Sequence, residues 1–359
     1  MTNLFNIKDI PDIIDSYLTE SYSNIVSIAK YIPNMYLFAA NDILLSEGTI
    51  DWALANRCPK ELICKSIAYN GNLELLKYAH NLRCPWDQWT CHNAVKNGHL
   101  ECLKYAHTNG CEINSDICNV AAAYGQLECL KYLRENNFKC RIAICDIIAG
   151  NGHLECLKYV HDSGCEWNMY TCSEAAKGGH LDCLKYLHEH GCEWDIYTNH
   201  YAAMNGHLDC LKYAHEHGCP WNFTTCSVAA AHGHFDCLKY AYEHGCIWNS
   251  DTCYNAAKNG HLECLKYAHN SGCPWYSELW VFKVCSAAAR YNHFDCLKYA
   301  HEHGCPWNSE TCYNAIEYGH LECLKYAHKN NCPYSKKECL SIATKNEHLE
   351  CINYIVNNM

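Results

Sequence analysis

Leu76-Lys77-Tyr78, Leu103-Lys104-Tyr105 and Leu130-Lys131-Tyr132 are the first three of ten copies of one triplet. The first eight copies, from Lys77 to Lys266, stand 27 residues apart. The next intervals are 32 and 27, and a degraded copy, Ile352-Asn353-Tyr354, follows 28 later. A fixed period of this size is the mark of a stacked array, in which each unit buries its apolar face only against its neighbours. Such an array presents a long surface rather than a single pocket.

One unit shows what the period encodes. In Thr90–Ile113, Thr90 is placed to cap a first helix, and Cys91, Ala94 and Val95 then fall on one stripe of it. Gly98 supplies the left-handed residue that stops it. Leu100, Cys102, Leu103, Tyr105 and Ala106 mark a second helix with a wide apolar face, on whose exposed side Glu101 and Lys104 are spaced for an ion pair. Gly110 closes that helix. Alanine pairs such as Ala175-Ala176 and Ala256-Ala257 line the first helices and allow close approach. Nothing alternates with period two, so the expected fold is all-α: stacked helix-turn-helix pairs joined by short loops.

The bulk numbers agree with this and narrow the partners. The chain has 359 residues, 49% of them apolar, and a net charge of −11. An acidic balance with no basic block argues against a nucleic-acid partner, because phosphate binding needs clustered Lys and Arg. No apolar run is long enough to cross a membrane, and Met1–Asp9 shows no basic region followed by an apolar one. The 31 cysteines are therefore expected as thiols in a reducing compartment, with the cytoplasm as the default. A monomer is expected.

The residues also carry a resemblance. Asn97-Gly98-His99-Leu100-Glu101-Cys102-Leu103-Lys104 resembles the turn and second helix of ankyrin repeats, and Thr90-Cys91-His92-Asn93-Ala94-Val95 looks like a shortened form of the ankyrin first helix. The likeness covers about residues 33–359 and some eleven repeats. It departs from the family in length, because ankyrin units run to 33 residues, and a Cys-Pro-Trp-Asn type loop stands here in place of the β-hairpin finger. Cysteine-rich 27-residue variants look like those of large amoeba-infecting DNA viruses, which would put the chain in a host cytoplasm. The resemblance implies an ankyrin-like solenoid that binds a protein partner through its repeat surface and carries out no catalysis.

Three segments depart from the pattern. Residues 113–149 are irregular, with Phe138 where other copies have cysteine and Cys140-Arg141 where they have Trp-Asn. Five extra residues near 276–284 bring in Leu279, Trp280, Val281 and Phe282, either as an exposed anchor or as a buried seal, with burial favoured. Residues 1–32 are not repeat and suggest a helical cap. Asp9-Ile10, Ile14 and Tyr17-Leu18 are faintly similar to the first helix of an F-box, which would make the chain a ubiquitin-ligase substrate adaptor.

Recurring Cys and His residues invite two other readings. The cysteines are separated by eight and six intervening residues, not the short C-x₂₋₄-C spacing of zinc sites. His-x₃-Cys pairs such as His188/Cys192 would allow a metal-binding array, but each such cysteine follows a glycine that ends the helix. Packing as small core groups is the simpler account, with no metal and no cofactor. The turn histidines (His99, His180, His207, His261 and their counterparts) recur too strictly for a unique active site and are expected to bond neighbouring loops. The tryptophans are expected to cover the loops and pack on the next repeat. No phosphate-cradling loop, nucleophile elbow or zinc-hydrolase motif is present, so the chain is not expected to be an enzyme.

What varies between copies is then the place to look for a partner. The two residues before each Gly-His turn differ amid a regular scaffold. The candidate partner-binding residues among them are Lys96, Lys177, Met204, Lys258, Arg290, Tyr291, Glu317 and Tyr318. Trp280 and Phe282 join them from the insertion.

Overall fold

The computed structural model describes residues 46–359 apart from 56–59, 141–142 and 276–282. The cap and F-box-like readings of residues 1–32, the boundary at 32/33, and the Trp280 and Phe282 assignments lie outside the described residues. Among the described residues every regular element is helical and none is a strand. The described residues fall into two compact units that divide between Ile144 and Cys145, inside the irregular 113–149 stretch.

Each unit is a stack of helix pairs. In the first, Gln88–Lys96 is followed by Leu100–Thr108, and Ile117–Ala123 by Leu127–Glu135. In the second, Met169–Gly178 pairs with Leu181–Glu189, Ile196–Met204 with Leu208–Glu216, and Ser250–Lys258 with Leu262–Asn270. Lys283–Arg290 pairs with Phe294–Glu302, and Ser309–Glu317 with Leu321–Lys329. First helices pack on the first helices of adjacent repeats and second helices on second helices. Fully buried alanines and one cysteine (Ala175, Ala176, Cys172) make the first contact close, and Leu184, Leu187 and Cys183 fill the layer beside it. The 27-residue period is the length of one such layer.

The first helix starts a turn earlier than the sequence suggests. Thr90 does not cap it. The helix runs from Gln88, and Asp87 accepts the amide of Trp89 at 3.0 Å, leaving Thr90 fully buried within the first turn. The same cap is made by Asn168, Asp195, Asn222, Asn249 and Asn308. The Asn or Asp after these six loop tryptophans is therefore the stop and start signal at once: its side chain satisfies an orphan amide, and its extended backbone turns the chain. At Asn168 the cap is reciprocal, since Thr171 Oγ1 accepts the Asn168 amide at 3.3 Å. Asn168→Ala should cost about 1 kcal/mol of stability, read from the urea midpoint.

The other terminators match the sequence reading. Gly98 and Gly110 adopt φ of +75° and +85°. The ion pair between Glu101 and Lys104 closes at 2.8 Å, and Glu155–Lys158, Glu263–Lys266 and Glu322–Lys325 repeat it. Where the shorter Asp182 and Asp209 replace glutamate, Lys185 and Lys212 lie instead over the rings of Tyr213 and Tyr240. These exposed contacts are screened by solvent and contribute little to stability.

Candidate protein-binding surface

Two side-chain devices hold consecutive repeats together and leave one edge free to vary. The first is the turn histidine. His207 Nε2 lies 3.1 Å from the Lys177 carbonyl, and His320 Nε2 lies 3.0 Å from the Arg290 carbonyl. His234 and His293 bond the Met204 and Lys258 carbonyls in the same way. In the first unit His99 reaches Tyr69, and Gln126, standing where a histidine would be, donates to the Lys96 carbonyl at 3.1 Å. The carbonyl that is clamped belongs to the variable residue. Its backbone is thus fixed by a constant neighbour whatever its side chain, and the position carries Lys, Met, Arg or Glu in different repeats.

The second device explains the tyrosine of the triplet. His188 stacks on Trp194 of its own repeat at 4.0 Å and 13°, and its Nδ1 meets the Tyr213 hydroxyl of the next repeat at 3.0 Å. Trp194 meets the edge of Tyr213 at 6.2 Å. His215, Trp221 and Tyr240 repeat the arrangement, as do His301, Trp307 and Tyr326. These tryptophans touch the next repeat, as expected, but as members of His-Trp-Tyr clusters that sequence spacing alone did not assemble; Trp248 stacks on Tyr242 instead, at 3.7 Å, and meets Tyr267 of the next repeat.

Burial lowers the imidazole pKa of His188, His215, His269 and His301 below 6.5, the Coulombic effect of a neighbouring imidazole adding to it at the first three. The native state therefore holds fewer protons than the unfolded chain once the pH drops through about 6.5, and stability falls with acidification. Melting temperature should be flat between pH 7 and 8 and decline from pH 6.5 to 5. A His188→Gln, His215→Gln double variant should show a shallower decline over that window.

On the free edge, the candidate cations do not project singly. Lys258 lies over the Tyr291 ring at 5.7 Å, Arg290 over Tyr318 at 4.9 Å, and the Arg290 guanidinium donates to the Tyr318 hydroxyl. Arg290 also borders Tyr291 at 5.9 Å. Lys258, Tyr291, Arg290 and Tyr318 thus form one row over three successive first-helix ends, with Glu317 exposed beside it. Tyr291 and Tyr318 are 45% and 40% exposed. Cations held on rings are ordered in advance and only partly hydrated, so they lose less freedom on meeting a partner.

Lys177, by contrast, is tied to Glu174 at 3.0 Å and faces Tyr201. Lys96 lies over Tyr124 in the first unit. Met204 is half-buried and belongs to no such row. Tyr124 and Tyr201, the rings under two candidate lysines, are not among the residues the sequence singled out. For Tyr124 the signal was available: like Tyr291 and Tyr318, it stands next to the turn one repeat after the cation. Exposed rings at the opposite end of the first helices (Trp89, Tyr170, Tyr197 and Phe223) carry no mark in the repeat pattern. Among the described residues no group of three or more His, Cys, Asp or Glu side chains is placed to hold a metal ion. No helix among them is long and apolar enough to cross a membrane.

The family model described as "Ankyrin repeats (3 copies)" matches residues 142–225 and 199–278. Residues 142–278 therefore carry ankyrin repeats, at the centre of the array. Among solved structures, the human ASB11 ankyrin repeat domain is similar at 20% identity and a TM-score of 0.44, covering 51% of this chain and 96% of that one. No curated protein matches the chain.

Proposed function

We propose that this chain is a non-enzymatic scaffold that binds a protein partner across the edge formed by Lys258, Tyr291, Arg290 and Tyr318. Ankyrin repeats in general mediate protein–protein interaction, and the observation that carries the placement is the cation–aromatic row itself. Its four side chains come from three repeats, are exposed or half-exposed, and stand on backbone that the recurring histidines hold still. Among the described residues neither Lys258 nor Arg290 is in an ion pair, so both charges are available to carboxylates on a partner. Tyr and Arg are the side chains over-represented among residues that dominate binding energy.

The test is differential capture. The wild-type chain and a Lys258→Glu, Arg290→Glu variant of equal melting temperature are used as baits, and bound proteins are compared by quantitative mass spectrometry. A partner that binds the row is retained by the wild type and lost from the variant. Equal retention of every specific partner would place binding elsewhere on the chain.

A further inference from the structure

The cysteines contain a pairing that the interaction role does not use. In the second unit, Cys172 on the first helix of its repeat donates to Cys192 in the loop that closes the same repeat, with the two sulfurs 3.1 Å apart. Cys172 is fully buried and Cys192 is 4% exposed. The same positions pair at Cys226/Cys246 and Cys253/Cys273, twenty residues apart, where the helix thiol lies 3.9 Å from the loop cysteine's carbonyl and bonds its side chain. In the first unit the Cys91 and Cys111 side chains pair likewise. All of these are free thiols. Repetition of a sulfur-to-sulfur contact is more than core packing requires, because alanine or valine fills such space without it.

We infer that each helix–loop cysteine pair is a modification site at which hydrogen peroxide closes a disulfide within one repeat. The loop sulfur is the attacking group: it is the less buried of the two, and the S–H of its partner supports negative charge on it, drawing its pKa below the usual thiol value. The Cys192 thiolate attacks one peroxide oxygen, the O–O bond breaks, and the departing hydroxide takes up the thiol proton as water, leaving a sulfenic acid on Cys192. The Cys172 sulfur then attacks the Cys192 sulfur, the S–O bond breaks, and a second water leaves with the Cys172 proton. Two thiols are oxidised and one hydrogen peroxide is reduced. The sulfurs have to approach from 3.1 Å to about 2.0 Å, and the bond encloses both helices of the repeat in one ring.

The chain supplies its own control. In the repeat that ends at Cys219, the helix position is Asn199, whose amide donates to the Cys219 carbonyl at 2.9 Å. Cys219 has the same place in the loop but no thiol to resolve it, and its pKa is pushed up to about 12 by burial. Second-helix cysteines such as Cys183 and Cys264 are equally buried and, among the described residues, bond no other sulfur.

The folded full-length chain is treated with hydrogen peroxide, quenched by alkylation, and mapped by non-reducing peptide mass spectrometry. The expected result is loss of two hydrogens per pair, Cys172–Cys192 and its counterparts linked, Cys183 and Cys264 alkylated, and a melting temperature that rises and returns on adding a dithiol reductant. Cys172→Ser, checked to be folded, should leave Cys192 as a sulfenic acid that dimedone traps. Peroxide-resistant thiols in the folded chain, links that ignore the pairing, or equal linkage at Cys219 would each overturn the inference.

Discussion

Replacing Gly260 by alanine should destabilise the second unit by about 3 kcal/mol, roughly twice the effect of the same change at Gly245. Both glycines are left-handed, with φ of +79° and +89°, so each pays the side-chain penalty of that conformation, about 1–2 kcal/mol. They differ in what a Cβ would meet. At Gly245 there is nothing within 4 Å, whereas at Gly260 the new carbon would fall on the imidazole of His293. That ring cannot simply swing away, because it holds the Lys258 carbonyl at the end of the adjacent first helix. The remaining difference is the steric cost of moving a packed ring. Urea titrations of the two single variants check the ratio, and equal losses would mean that the histidine is not a clamp.

The largest functional effect is expected at Tyr318. Tyr318→Ala should weaken partner binding by about 2 kcal/mol, close to a thirtyfold rise in Kd, with little change in melting. The ring is 40% exposed, and it carries the Arg290 guanidinium both on its face and through its hydroxyl. Truncation releases the arginine to solvent and removes the apolar contact together. Tyr170→Ala is the matched control: the ring is 60% exposed and lies at the opposite end of the first helices. It should leave affinity unchanged in isothermal titration.

Much of the fold was legible because a repeat states its rules many times over. The spacing of the triplet gave the layer, the glycines at 98 and 110 gave the breaks, and Ala175-Ala176 gave the close helix contact. The helix starts were misplaced because Thr90 and Asp87 are both good caps in isolation, and the choice between them depends on burial. Thr90 is fully buried in the folded chain, which no local signal reports. The site was legible only as a set of variable positions. What groups Lys258 with Tyr291 and Arg290 with Tyr318 is a contact between repeats, 33 and 28 residues apart, and variation alone cannot distinguish these from Lys177, which is tied to Glu174. The His-Trp-Tyr clusters were hidden for the same reason: each of their residues was noticed, but the hydrogen bond that unites His188 with Tyr213 runs across a repeat boundary.

Site-specific photo-crosslinking tests the central claim most directly. A photoreactive amino acid is placed at Tyr291 in one sample and at Tyr170 in another, and each chain is irradiated with the captured partner. The row predicts a covalent adduct to the partner from position 291 and none from 170. An adduct from 170 alone, or none from 291 with a partner that remains bound, would contradict it.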